Sequence, residues 1–79
     1  MKTIRIEYFA VLRELAGRSE EAVDTAAQTP AELYAEIATR HDFPAPETLK
    51  VAINDEFGDW DQALNDGDRL VFIPPVAGG

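Results

Sequence analysis

A chain of 79 residues, 46% hydrophobic and 28% charged, has the balance of one small globular domain with a modest core. Its formal net charge of −8 argues against nucleic acid as a partner, because binding to phosphates depends on basic groups that displace counterions. The absence of cysteine excludes disulfides, thiolate metal sites and a cysteine nucleophile.

The opening "MKTIRIEYFA" carries Lys2, Arg5 and Glu7 inside its apolar run, so it reads as neither a signal peptide nor a membrane span, and the cytoplasm is the expected compartment. Ile4, Ile6 and Tyr8 alternate with Thr3, Arg5 and Glu7, the period-two pattern of a strand with one buried face. Leu12, Leu15 and Ala16 then follow helical spacing, and Gly17 supplies the left-handed residue that ends a short helix. "EEAVDTA" predicts a weak, polar edge strand around Val23.

"TPAELYAEIATRHDF" predicts the main helix. Thr29 caps it, Pro30 suits the first position, and Glu32 completes a T-x-x-E capping box. Leu33 and Ile37 define its buried stripe, with Tyr34 and Ala38 beside it, while Arg40 and His41 complement the dipole in the last turn. After the break at "PAPE", "LKVAIND" predicts a strand with Val51 and Ile53 on one side. "DEFGDWDQALNDGD" reads as a loop anchored by Phe57, Trp60 and Leu64, with a tight turn at Asn65, Asp66 and Gly67. The final "RLVFI" is apolar at both parities, as expected for a central strand with partial cover on both faces, and its expected neighbour is the first strand. The order predicts an α+β domain, a β-grasp arrangement: a mixed sheet of four to five strands with one main helix and one short helix.

Side-chain chemistry offers little. His41 is the sole histidine and reads as a surface residue at a helix end. Asp55, Glu56, Asp59 and Asp61 lack the spacing of a calcium loop, and Ser19 has no base in a local motif, so neither a metal site nor a nucleophilic triad is expected. The acidic run over residues 55–68 reads as a solvated face or as a guide for a basic partner.

The ending "FIPPVAGG" is different. Pro74 and Pro75 cannot continue the strand, so residues 1–73 are expected as the domain and 74–79 as an extended tail with a reach of roughly 20 Å at about 3.3 Å per residue. Gly78 and Gly79 lack β-carbons and suit a narrow tunnel in another protein's active site. The Gly79 carboxylate becomes reactive once attack on the α-phosphate of ATP has converted it to an acyl adenylate.

These segments resemble a known family. "YFAVLRELAG" at residues 8–17 is similar to the F-F-A-x-x-R-E-x-x-G opening of molybdopterin synthase small subunits. "DGDRLVFIPPVAGG" at residues 66–79 is similar to their D-G-D-x-x-x-F-x-P-P-V-x-G-G ending, and "VAIND" at residues 51–55 to their middle strand and turn. The resemblance implies a ubiquitin-like sulfur carrier without catalytic side chains or a bound cofactor of its own. It implies that Gly79 is adenylated by an ATP-using, ubiquitin-activating-type adenylyltransferase and converted to a thiocarboxylate. Sulfur would then pass to cyclic pyranopterin monophosphate in the large synthase subunit, with two small and two large subunits assembled together. Phe72, Pro74, Pro75, Val76, Ala77 and Gly78 are the expected partner contacts. Alternatives are a carrier for thiamine or cysteine biosynthesis, or a ubiquitin-like modifier or interaction module.

Overall fold

The computed structural model describes residues 1–74. Five strands form one mixed sheet in the order β2-β1-β5-β3-β4: β1 (Lys2–Tyr8), β2 (Glu20–Thr25), β3 (Lys50–Ile53), β4 (Glu56–Gly58) and β5 (Arg69–Ile73). β5 lies parallel to β1 and antiparallel to β3, and the remaining pairs are antiparallel. The strongly apolar β5 therefore takes the middle with β1 beside it, and the polar β2 is an edge, as expected.

The chain between β1 and β2 turns through α1 (Val11–Ala16), closed by Gly17 at φ 75°. Only Leu12 of this helix is buried, and Leu15, which shares its helical spacing, is exposed. α2 (Pro30–His41) lies over one face of the sheet. Glu32 N–H donates to Thr29 Oγ1 at 3.2 Å, and Glu32 Oε1 accepts from Gln28 N–H at 2.9 Å, a capping box shifted one residue outward on its return bond. A left-handed Asp42 ends the helix.

Leu33, Tyr34 and Ile37 of α2 meet Ile4, Ile6, Tyr8, Val23, Val51, Ile53, Leu70 and Phe72 from the sheet, all buried. Burial of each large side chain stabilises the fold by about 1.5–3 kcal/mol. An aromatic cluster knits the far end: the Tyr34 ring lies 4.9 Å from Phe72, and Trp60 stacks on Phe72 at 5.6 Å and 12°.

Two expectations need correction. The region after β3 is a hairpin whose second strand is β4, and Phe57 is 75% exposed, so it does not anchor a loop to the core as Trp60 and Leu64 do. His41 is not a plain surface residue either. Its ring is mostly enclosed, stacks on Phe43 at 5.0 Å and brings Nε2 to 3.5 Å from Glu21 Oε1.

Glu21 also accepts a hydrogen bond of 2.5 Å from the Tyr8 hydroxyl. Burial would raise its carboxyl, but the Tyr8 hydroxyl, His41 and Arg18 outweigh burial and hold it below the ordinary value of 4.5. A depressed carboxyl contributes stability that is full above the unfolded value and is lost as pH falls through the folded one. Glu21→Gln should therefore flatten the acid limb of the stability profile below about pH 4.5, read as melting temperature against pH. An unchanged acid slope would contradict this assignment. Burial, followed by the Glu21 carboxylate, pushes the Tyr8 phenol upward, so its contribution persists at neutral pH and is lost only in strong alkali.

Candidate functional site

The helix covers one face of the sheet; among the described residues the other carries no element. Alternation along the strands decides what stands on it. With Leu70 and Phe72 turned to the core, Arg69, Val71 and Ile73 of β5 face outward, beside Glu7 of β1, Ala52 of β3 and Phe57 of β4. Phe9, 47% exposed, joins them just past the end of β1.

Two hollows result. One of about 490 Å³ is lined by Glu47, Leu49, Lys50, Phe57, Ile73 and Pro74. The other, about 240 Å³, is lined by Glu7, Phe9, Ala52, Asp55, Phe57, Val71 and Ile73. Ile73 and Phe57 border both, so Phe57 stands as a ridge between them. An exposed aromatic flanked by apolar hollows has the form of an interface anchor, since such residues dominate binding energy when a partner encloses them. The larger hollow sits where β5 ends and the chain leaves the sheet through Pro74.

The expected contact residues separate here. Pro74 lies at the rim of the larger hollow. Phe72 does not: it is fully buried between Tyr34 and Trp60 on the helix side, because its parity in β5 is opposite to that of Val71 and Ile73. A partner therefore meets Ile73, while Val71 is turned to the same side but only 6% exposed, and Phe72 is a core residue. Pro75, Val76, Ala77, Gly78 and Gly79 lie outside the described residues. Phe9, Ala52 and Phe57 were not among the expected contacts. The Asn54-Asp55 pair was the available signal, because it joins two short apolar segments as a two-residue hairpin turn does.

The acidic run is not one free face. Asp55 is paired with Arg69, Asp66 Oδ1 accepts from Thr3 N–H at 2.7 Å, and Asp68 accepts from Asn65 N–H at 2.8 Å. Glu56, Asp59 and Asp61 are exposed, with no ion pair among the described residues. Half of the run thus serves turns.

Strain marks the approach to Phe9. Ala10 has φ 52° and ψ −125°, and Leu12 N–H donates to the Phe9 carbonyl at 3.0 Å, a II′-like turn that favours glycine. Such a conformation costs a non-glycine residue about 1–3 kcal/mol. Ala10→Gly should raise stability by about 1 kcal/mol after allowing for the greater freedom of the unfolded glycine chain. Chemical denaturation measures this directly, and a loss of stability would contradict the strained geometry.

Comparison with known proteins agrees with this architecture. The molybdopterin synthase sulfur carrier subunit of Escherichia coli is 34% identical over 80 residues, covering 96% of this chain and 99% of that protein. A solved structure of a candidate molybdopterin converting factor subunit 1 from Pyrococcus furiosus has 30% identity and a TM-score of 0.80, over 96% of this chain and 100% of that one. The complex of subunits 1 and 2 of molybdopterin-converting factor from Helicobacter pylori shares the fold, with a TM-score of 0.67 at 22% identity over 98% of this chain and 99% of that one. Residues 6–79 match the ThiS family. The β-grasp chain described here belongs to the ThiS family and is a relative of the molybdopterin synthase sulfur carrier subunits.

Proposed function

We propose that this protein is the sulfur carrier subunit of a molybdopterin synthase, acting in the cytoplasm where ATP is at hand. The observation that carries the reading is the continuity of three features: the apolar open face, the exit of β5 at Pro74 beside it, and the Pro-Pro-Val-x-Gly-Gly ending that follows. The face gives a partner something to hold, and the ending gives it something to use.

The Gly79 carboxylate attacks the α-phosphate of ATP in a ubiquitin-activating-type adenylyltransferase, releasing pyrophosphate and forming an acyl adenylate. Sulfide from the sulfur donor then attacks the acyl carbon, its bond to the adenylate oxygen breaks and AMP leaves, and the carrier is left with a terminal thiocarboxylate. Docked on the large synthase subunit through Phe9, Phe57 and Ile73, it gives up its sulfur to cyclic pyranopterin monophosphate, and water takes the place of sulfur on the acyl carbon, so that the C–S bond breaks and the Gly79 carboxylate is regenerated. Two carriers supply the two sulfurs of the dithiolene, in an assembly of two small and two large subunits. No side chain of this chain performs the chemistry; the acyl carbon of Gly79 is its reacting atom.

Reconstitution tests the reading. Protein produced with its activating enzyme and sulfur donor, mixed with the large subunit and cyclic pyranopterin monophosphate, should form molybdopterin. No product from a large subunit shown competent with another carrier would overturn it. Formation of lysine-linked conjugates in its place would support a modifier.

A further inference from the structure

β4 is the least supported part of the open face. It has three residues, pairs among the described residues only with β3 at the sheet edge, and carries a largely exposed Phe57. The hairpin that presents it depends on polar contacts. Asn54 and Asp55, with φ of 53° and 71°, form its turn in the left-handed region. Asn54 steadies that turn from one side: its Oδ1 accepts from Arg69 N–H at 3.0 Å, and its own N–H donates to the Arg69 carbonyl at 2.8 Å.

The Arg69 side chain steadies it from the other. Its Nη2 contacts Asp55 Oδ1, and its Nε, enclosed and without a hydrogen bond among the described residues, lies 3.7 Å from Glu7 Oε1. One guanidinium thus ties the β3–β4 turn to β1 across the central strand. Glu7 and Asp55 both line the smaller hollow and share this single cation among the described ion pairs. Without it, two carboxylates would stand on one hollow with like charge, and mutual repulsion would push the turn outward.

We infer that Arg69 is a positioning residue for docking: it holds the turn at Asp55 so that Phe57 and the smaller hollow keep the shape that receives an apolar anchor of the large synthase subunit. The inference rests on the docking role proposed above. Asp55 is 73% exposed, and exposed ion pairs contribute little to global stability. The effect of Arg69 therefore belongs in docking and not in the melting temperature.

The test is a double-mutant cycle on binding to the large subunit, with melting temperatures measured on the same samples. Arg69→Gln should weaken binding about fivefold, the upper end of what an exposed ion pair supplies, and raise dissociation more than it lowers association. Arg69→Lys should recover part of the loss, and the melting temperature should hold within about 2 °C. In a Phe57→Ala background the Arg69 change should have no further effect, because Arg69 acts through that ring. Fully additive losses, or a fall in melting temperature that accounts for the weaker binding, overturn the positioning role. If Phe57→Ala alone leaves binding unchanged, the docking reading fails first, and this inference fails with it.

Discussion

Removal of Gly79, or addition of one residue after it, is expected to abolish sulfur transfer while leaving thermal unfolding unchanged. The five-stranded sheet and the buried core are formed among the described residues 1–74, so melting is expected not to depend on the last residue. The chemistry does. One extra residue moves the reacting carbon by about 3.5 Å, and a misplacement of about 1 Å already costs on the order of a hundredfold in rate. Gly78→Val belongs to the same prediction, since a branched side chain narrows the backbone choices of the penultimate residue and widens it against a tunnel wall. Normal molybdopterin formation by the extended protein would be incompatible with acyl activation at Gly79.

The second large effect separates two phenylalanines that the sequence presents as equals. Phe72→Ala should destabilise the domain by about 3–5 kcal/mol, because it empties a site enclosed by Tyr34 and Trp60. A domain of this length has only about 4–12 kcal/mol in total, so the variant should lose more than about 12 °C in melting temperature. Phe57→Ala should do the reverse. Its ring is 75% exposed, so melting should hold within a few degrees while affinity for the large subunit falls by about tenfold or more. Differential scanning calorimetry paired with binding kinetics distinguishes them. Equal melting temperatures for the two variants would contradict the parity of β5 and β4 described here.

That contrast also shows what could be read from the residues alone. Ile4, Ile6 and Tyr8 alternate strictly, so β1 was legible with its buried face. Thr29, Pro30 and Glu32 announced the start of α2, and Leu33 and Ile37 its buried stripe, and these positions are where the fold places them. β5 was legible as a central strand but not by face, because "RLVFI" is apolar at both parities. Only its register against Tyr8 and Val51 turns Phe72 inward.

β4 was illegible for another reason. A three-residue strand carries no periodicity, and its one large apolar residue points outward, so burial patterning works against finding it. His41 hides in the same way. Its enclosure comes from Phe43 beyond the helix and Glu21 on a distant strand, neither of which local spacing reveals. The open face was legible only in the partial cover expected of "RLVFI", since Phe9, Ala52, Val71 and Phe57 come from four separated segments that the sheet brings together. The ending was read from motif and chemistry alone; it lies outside the described residues, and its role belongs to the proposed function.

The most direct measurement is the intact mass of the protein produced together with its own activating enzyme and sulfur donor. Acyl activation predicts exchange of one oxygen for sulfur, localised by fragmentation to Gly79 and absent when ATP is withheld. An unaltered Gly79 carboxylate, in a preparation whose activating enzyme is shown to be active, would contradict the sulfur carrier account.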